Sequence, residues 1–341
     1  MRIDVLALND VFDLGLAAVL DAFQTANELI AATTMAVPRF DVRIVGVRRS
    51  VHTSQGLRVP VHAPGKRTPD CVVVPAIGFK MPGPLETALT RPEVRDAAIV
   101  LRRWADQGST MTAACIGTFV MAESGLLDRR HATTTWWLAP LFRQRYPTVT
   151  LNDASMIVRS GPFVTAGAAL SHMDLALWLV RGVSPELASL TAKYLIVDSR
   201  PSQSAYALTD HLLHSDPIVQ RFEGYARSHL ARGFSLDAAA KAVGASKRTL
   251  ARRMQSVLGK TPLSYVQDLR VERAVHLLKT SRASVDEVAA RVGYADAATL
   301  RTLLRRRLHA GVKEIRRAPS PRSSAGSALA AHPVREQFPA R

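Results

Sequence analysis

Arginine residues on the exposed faces of predicted helices are the clearest candidates in this sequence for contacts with DNA. One such helix follows Gly244, with Leu250 and Met254 at helical spacing so that both are expected to face inward. Arginine near the start of a helix that enters a major groove can donate two hydrogen bonds to a guanine edge. The candidate DNA contacts of this helix are Lys247, Arg248, Thr249, Ala251, Arg252 and Arg253.

The same pattern occurs a second time, with Gly293 in the place of Gly244. Ser284 and Glu287 form a capping box before its first helix, and Asp296 is placed to cap its second. The candidate DNA contacts here are Ala297, Ala298, Thr299, Arg301, Thr302, Arg305 and Arg306. Because small side chains predominate among them, we expect contacts to thymine methyl groups and phosphates more than dense base reading.

Positive charge is concentrated in the same part of the chain. Residues 235–318 hold 18 Lys/Arg against 7 Asp/Glu, whereas residues 1–210 hold 21 against 18, and the whole chain has a formal charge of +17. A local excess of this kind is expected of a surface that contacts phosphate. A single helix pair of this type is often an ordinary hairpin and an arginine run a solvated face, but two copies with matched glycines favour DNA binding.

Residues 235–317 resemble the DNA-binding domain of the AraC/XylS family of bacterial transcription regulators. The resemblance is carried by the segment from Leu236 to Arg253 and by the stretch from Val285 to Asp296. It implies an all-α double helix-turn-helix domain. The expected bounds are about 236–257 for the first motif, 262–279 for the connecting helix, 285–308 for the second motif and 234–318 for the domain.

A different kind of candidate site lies in the first half of the chain. Cys115 stands between an apolar stretch that ends at Ala114 and a helical pattern that follows. A strand-to-helix turn of this type exposes a side chain beside backbone N–H groups, and a thiol in that position is expected to have a lowered pKa. The alternative is that Cys115 is a small buried core residue, and its placement alone leaves both possibilities open.

The elements that must position this cysteine alternate between strand and helix patterns. Strands are predicted over Ile3–Leu8, Phe40–Val47, Cys71–Pro75, Thr110–Ala114 and Phe163–Ala166, and helices over Gly15–Ile30, Pro92–Gln107, Ile116–Gly125 and Ser171–Arg181. Short apolar strands alternating with amphipathic helices predict a doubly wound α/β sandwich.

Residues 1–200 resemble the ThiJ/PfpI family, whose flavodoxin-like fold is that of class I glutamine amidotransferases. The resemblance is carried by the Cys115 turn, by Cys71–Pro75 and by the stretch from Gly125 to Trp136. Joined to the C-terminal resemblance, the whole chain is similar to GlxA-type regulators. This implies a ligand-sensing and dimerising domain over 1–200, hence a homodimer, followed by a helical linker over 201–233, while residues 319–341 are predicted to be disordered.

The residues of the predicted pocket indicate a sensor without catalytic residues. Where GlxA-type regulators often have a histidine this chain has Thr135, and His131 and His172 are the nearest other bases for a thiol. The ligand-binding candidates are Asp13, Ala76, Ile77, Gly78, Cys115, Ile116, Gly117, Thr135 and Trp136. Backbone N–H groups are expected to hold a carboxylate and Asp13 an amine of a small polar metabolite. Core packing is the alternative role for each, and neither metal nor cofactor is predicted.

The function that these patterns favour is sequence-specific DNA-binding transcription regulation in response to a small polar effector. Operator DNA and the effector are the expected partners, and RNA polymerase is a further candidate. The alternative is a cysteine-dependent hydrolase or lyase with an accessory DNA-binding domain. Two cysteines in 341 residues, no signal-peptide pattern and no apolar run of membrane-spanning length predict a soluble cytoplasmic protein that has no membrane contact.

Overall fold

The computed structural model describes residues 1–33, 35–65, 67–198, 200, 202–203, 212, 214–231, 234–308 and 311–317. Their contacts divide the chain into two units, Met1–Glu223 with Ala240–Pro262, and Gly224–Ala239 with the chain from Leu263 onward. The predicted disorder of 319–341 concerns residues outside the described ones, and the domain limits drawn from the sequence stay predictions. No described helix is both long and apolar enough to cross a membrane.

Ten strands, fourteen α-helices and one 3-10 helix, Trp136–Leu138, make up the described secondary structure. The strands are β1 (Arg2–Leu6), β2 (Asp41–Val45), β3 (Val51–His52), β4 (Arg58–Val59), β5 (Cys71–Val74), β6 (Thr110–Ala114), β7 (His131–Ala132), β8 (Thr150–Leu151), β9 (Ile157–Ser160) and β10 (Phe163–Ala166). The helices of the first half are α1 (Asp13–Ala32), α2 (Pro82–Leu89), α3 (Pro92–Asp106), α4 (Gly117–Glu123), α5 (Ala139–Arg145), α6 (Ser171–Val183) and α7 (Pro185–Tyr194). The remaining helices are α8 (Pro217–Ser228), α9 (Leu236–Ala242), α10 (Lys247–Leu258), α11 (Pro262–Thr280), α12 (Val285–Arg291), α13 (Ala297–Leu308) and α14 (Val312–Arg317).

A six-stranded sheet in the order β2-β1-β5-β6-β10-β9 is the framework of the first unit. The first five strands pair in parallel, and β9 pairs with β10 in the antiparallel direction. All residues of β5 and β10 are buried because helices cover both faces of the sheet. The predicted doubly wound α/β sandwich is therefore confirmed, with β9 as an edge strand that the sequence did not indicate.

The two faces of the sheet carry separate hydrophobic clusters. On one face α1, α6 and α7 pack together and bury residues such as Phe23 and Leu179. On the other face α2, α3, α4 and α5 bury Trp104, Phe119 and Phe142. Helix α10 also belongs to this unit by its contacts, since it packs against α5.

The turn after β6 has a backbone conformation that is unusual for a non-glycine residue. Cys115 has a φ of 56°, in the left-handed region that non-glycine residues seldom adopt, and its N–H donates to the Ala166 carbonyl over 2.8 Å. Two residues on, a Cβ at Gly117 would lie 2.2 Å from the Val74 carbonyl oxygen and 2.7 Å from that of Pro75. Helix α4 can therefore begin directly against the end of β5 only because residue 117 has no side chain.

The second unit is helical, and its core joins α11, α12, α13 and α14 through Val288, Leu300, Leu304 and neighbouring apolar residues. Its predicted caps are confirmed. The Glu287 N–H donates to Ser284 Oγ over 3.1 Å while the Ser284 N–H donates to Glu287 Oε2 over 2.7 Å, which completes a capping box. Asp296 Oδ1 accepts from the Thr299 N–H over 2.7 Å and caps α13.

Replacing Gly117 with alanine tests the contact between α4 and β5. Because a backbone carbonyl cannot move away as a flexible side chain can, we expect Gly117→Ala to lower the free energy of unfolding by about 1–3 kcal/mol. Gly83→Ala in α2 is the matched control, since nothing lies within 4 Å of a Cβ placed there. Urea unfolding of both variants measures the difference, and equal stabilities would contradict the proposed role of Gly117.

Candidate functional site

The first helix-turn-helix copy has the orientation that its apolar spacing predicts. Leu250, Met254 and Leu258 are buried, whereas Arg248 and Arg252 are exposed. Ser246 caps α10 by accepting from the Thr249 N–H over 3.1 Å. The arginine side chains are thus presented on the solvent face of the first two turns of α10, with its backbone N–H groups at the same end.

The other candidate DNA contacts of this copy differ in solvent exposure. Lys247 and Arg253 are exposed, while Thr249 and Ala251 are half-buried. Arg253 Nη1 lies 3.4 Å from an Asp216 carboxylate oxygen and forms an ion pair with it. Gly244 in the preceding turn has a φ of 69°, as the sequence predicted for a tight turn between helices.

In the second copy, α13 buries Leu300 and Leu304 and exposes most of the predicted contacts. The exposed candidates are Ala298, Thr299, Arg301, Thr302, Arg305 and Arg306. Ala297 was predicted to face outward, and this is wrong, since it is only 4% exposed. Residues 297, 300 and 304 follow the i, i+3, i+7 spacing of one helical face, so the apolar stripe of α13 begins one turn earlier than assumed.

Arg307, which follows these candidates, has a structural role. Its guanidinium lies 3.4 Å from an Asp268 oxygen and donates to Ser264 Oγ over 3.0 Å. Gly293 also has a structural role, because a Cβ at this position would lie 2.6 Å from the Leu230 carbonyl oxygen. Arg306, unlike Arg307, is exposed, so its removal should affect packing less.

The Cys115 thiol does not have the lowered pKa that the turn predicted. Burial raises the pKa of Cys115 to about 12, and the Ile116 N–H, the Thr135 hydroxyl and the Lys80 charge only partly oppose it. The side chain is 3% exposed, so the thiol is protonated at neutral pH. The prediction of an activated thiol is wrong because desolvation outweighs the nearby N–H groups.

His172 is one of the two histidines considered above as a base for the thiol. It is buried, and both of its ring nitrogens form hydrogen bonds. Nδ1 donates to the Ala169 carbonyl over 2.7 Å, and Nε2 accepts from the Ala76 N–H over 3.0 Å. Burial lowers the pKa of His172 to about 4, which the bond to Ala169 partly opposes. The neutral ring therefore supports the backbone at Ala76 and has no acceptor left for a thiol proton. His131, by contrast, is exposed on β7.

Several backbone groups of the predicted pocket are already used within the fold. The Ala76 N–H bonds to His172, and the Gly78 N–H donates to the Asp10 carbonyl over 2.7 Å. Ala76, Ile77, Ile116 and Thr135 are each at most 4% exposed. The packing role of Gly117 was described above, so these residues form a closed floor in which the amides of Ala76 and Gly78 are occupied.

Asp13 is better placed to meet a ligand. Its Oδ2 accepts from Ser54 Oγ over 2.7 Å and from the Gln55 N–H over 3.2 Å, whereas Oδ1 is buried and has no hydrogen-bond partner among the described residues. Burial raises the pKa of Asp13, but the nearby Thr53 and Ser54 hydroxyls and the backbone N–H groups outweigh it and hold the pKa below its ordinary value. The carboxylate is therefore ionised, with one oxygen that can accept from a cationic amine.

The segment before α5 brings further residues to the Cys115 turn. Thr134 Oγ1 donates to the Cys115 carbonyl over 2.8 Å, and Thr135 lies beside the thiol without completing a hydrogen bond of standard geometry. Trp136 is half-buried and meets Trp137 edge to face at 5.5 Å. Thr133, Thr134 and Gln203 also belong to this site but were not predicted, since nothing in their local sequence indicates contacts with residues so distant along the chain.

Comparisons with known proteins found matches to different parts of the chain. Residues 239–318 match the family model described as a helix-turn-helix domain, so the predicted motif is confirmed there. The HTH-type transcriptional regulator GbdR of Pseudomonas aeruginosa is 27% identical over 253 residues, which cover 72% of this chain and 66% of GbdR.

Solved structures resemble the first part of the chain. An AraC family transcriptional regulator from Pseudomonas putida is 21% identical with a TM-score of 0.47, covering 57% of this chain and 98% of its own. A ThiJ/PfpI family protein from Pseudomonas syringae is 18% identical with a TM-score of 0.46, covering 59% of this chain and 76% of its own.

Replacing His172 tests how the pocket floor is held. The lowered pKa means that the unfolded chain binds the proton more readily, so the contribution of His172 is complete above about pH 6.5 and is lost as the pH falls toward about 4. Between pH 7 and pH 5 this loss is about 2 kcal/mol. His172→Gln can still accept from the Ala76 N–H but does not titrate.

We therefore expect the free energy of unfolding of His172→Gln, measured in urea, to fall less than that of the wild type between these pH values. His131→Gln, at an exposed position, is the control and should follow the wild type. Parallel pH profiles for His172→Gln and the wild type would contradict the assignment.

Proposed function

We propose that the protein is a sequence-specific DNA-binding transcription regulator that responds to a small polar metabolite. The observation that carries this proposal is the exposure of Arg248 and Arg252 on a capped helix of a helix-turn-helix. The similarity to GbdR, a transcriptional regulator, supports it.

The geometry of α10 fits major-groove recognition. Arg248 and Arg252 are one helical turn apart, and the buried stripe of Leu250, Met254 and Leu258 fixes which face they share. A recognition helix reads bases with residues near its N-terminus, where Arg248 lies. Arg248 therefore reads a base edge, while the exposed arginines at the end of α13 contact phosphate.

The α/β part acts as a sensor and not as an enzyme. A cysteine nucleophile needs a thiolate and a base within hydrogen-bond reach. Here burial keeps the Cys115 thiol protonated, both nitrogens of His172 are engaged, and the residue beside the thiol is Thr135. The turn keeps the geometry of a nucleophile elbow without the groups that would activate it.

The effector is a small molecule with a cationic amine. Asp13 Oδ1 is a carboxylate oxygen without a hydrogen-bond partner among the described residues, and the half-buried Trp136 offers an aromatic face. The protein acts in the cytoplasm as a homodimer, binds operator DNA as its double-stranded partner and contacts RNA polymerase at the promoter. Operator binding in a gel shift with and without candidate amines tests the effector class.

A cysteine-dependent hydrolase or lyase is the second candidate, favoured by the left-handed backbone at Cys115. Turnover of an ester or α-ketoaldehyde substrate that disappears in Cys115→Ser would support it. The raised pKa of Cys115 instead leads us to expect the same negligible turnover in the wild type and in this variant.

Two arginine variants separate base reading from phosphate contact. Loss of a bidentate base contact costs about 1–3 kcal/mol at one operator position, so Arg248→Ala should weaken binding to the operator much more than binding to random DNA. Arg306→Ala should weaken both alike and reduce the slope of log K against log salt concentration by about 1.

Fluorescence anisotropy on DNA from upstream of the protein's own gene, at several salt concentrations, measures both effects. Arg95→Ala, at an exposed position on α3, is the matched control and should bind as the wild type does. Equal losses on operator and random DNA for Arg248→Ala would refute the assignment of base reading to this residue.

A further inference from the structure

A short segment between α7 and α8 is tied to the edge of the sheet near Cys115. Arg200 donates to Asp174 over 2.8 Å and to the Leu170 carbonyl over 3.2 Å. Ser202 Oγ and the Gln203 N–H both donate to the Ala154 carbonyl, over 2.8 and 2.9 Å. We call the described residues 200, 202 and 203 the strap.

The side chain of Gln203 is completely buried by this arrangement, with 0% exposure. Its Nε2 donates to the Thr134 carbonyl over 2.9 Å and to Thr133 Oγ1 over 3.2 Å. Its Oε1 is buried and has no hydrogen-bond partner among the described residues. A buried carboxamide with half of its polar capacity unused is costly, so this contact is not explained by stability alone.

The two groups that hold Gln203 are acceptors only. The Thr133 hydroxyl proton is donated to the Ser155 carbonyl over 3.1 Å, which leaves its lone pairs toward Gln203. The second group, the Thr134 carbonyl, can only accept. The position therefore selects an N–H donor, and a carboxylate there would be repelled by both oxygens.

Gly167 makes room for this side chain. A Cβ at Gly167 would lie 2.7 Å from the amide carbon of Gln203. Gly167 directly follows β10, at the carboxyl end of the parallel strands, where ligands bind in open α/β sheets. Thr134 connects the position to the candidate pocket, because its Oγ1 donates to the Cys115 carbonyl over 2.8 Å.

We propose that Thr133 and Thr134 form a subsite for the N–H group of a carboxamide or ammonium ligand, and that Gln203 is the occupant supplied by the chain itself. A ligand that takes this subsite releases the strap. The proposal rests on the proposed sensor function of the α/β part and adds to it the means by which binding is transmitted. The strap precedes α8 and the helix-turn-helix region in sequence, so its release is the step that couples ligand binding to the DNA-binding residues.

The Cys115 thiol is a built-in reporter of strap release, since loosening Thr134 and Thr135 uncovers it. The experiment uses the full chain without DNA and follows alkylation by iodoacetamide at one pH, with peptide mass spectrometry separating Cys115 from Cys71. Gly167→Ala pushes Gln203 out and Gln203→Ala removes its amide. The control is Gly182→Ala, a glycine-to-alanine change in α6 where a Cβ meets nothing within 4 Å.

We expect Cys115 to be alkylated about tenfold faster in Gly167→Ala and in Gln203→Ala than in the wild type, because each variant loses two buried hydrogen bonds. Cys71, which is 0% exposed within β5, should keep its rate and so reports the intact core. Rates at Cys115 equal to those of Gly182→Ala would overturn the proposal. So would a parallel rise at Cys71 in Gln203→Ala, since that variant adds no atoms and should not loosen the whole domain.

Chemical rescue tests the chemistry of the subsite itself. Acetamide replaces the atoms that Gln203→Ala removes, so millimolar acetamide should return the Cys115 rate toward that of the wild type. Acetate, which has the same shape but no N–H group, should leave the rate unchanged. Rescue by both compounds or by neither would contradict a subsite that selects an N–H donor.

These outcomes are independent of those that test the proposed function. Alkylation of Cys115 is measured without operator DNA. A protein that binds no operator can therefore still show faster alkylation of Cys115 in the strap variants. Conversely, normal operator binding together with an unchanged Cys115 alkylation rate in the variants would contradict the strap proposal and leave the proposed function intact.

Discussion

The packing of the first turn of α4 on the end of β5 is the contact on which the candidate ligand site depends. Gly117 lets the Val74 and Pro75 carbonyl oxygens approach the helix, and the left-handed backbone at Cys115 turns the chain from β6 toward them. The carboxyl ends of β5, β6 and β10 thereby meet at one edge. The residues around Cys115, Thr134 and Gln203 share that edge because parallel strands end there together.

Groups of the protein itself engage several donors and acceptors of this edge, and this supports the proposed sensing role over a catalytic one. His172 accepts from the Ala76 N–H, Asp10 accepts from the Gly78 N–H, and Gln203 donates to Thr134. A catalytic site of this type instead keeps donors and a base free for the reacting atoms. A site filled by internal partners can respond to a ligand by exchanging them, and that exchange moves the chain.

Sequence patterns predicted the elements more completely than the chemistry of the site. The strands Thr110–Ala114 and Phe163–Ala166 were predicted with their exact bounds because short apolar runs between breakers are typical of buried parallel strands. The edge strand β9 is half-exposed and lacks that signal. The pKa of Cys115 depends on burial by distant segments, and the contact of Gln203 with Thr134 joins residues far apart in the chain, so neither has a local pattern. Ala297 was misplaced because its small side chain gives little hydrophobic signal, although it lies three residues before Leu300 and so on the same face of α13.

The hydrogen bonds that hold the strap are weak enough for a bound regulatory ligand to replace them. Each net hydrogen bond within a protein contributes about 0.5–1.5 kcal/mol, so the two bonds of the Gln203 amide hold the strap by only a few kcal/mol. A ligand at one hundred times its dissociation constant stabilises the state that it binds by about 2.7 kcal/mol. Because a ligand shifts an equilibrium only by its differential affinity for the two states, competition for the same acceptors supplies that difference directly. The unpaired Oε1 of Gln203 keeps the internal occupant weaker than a ligand that satisfies every polar group it buries.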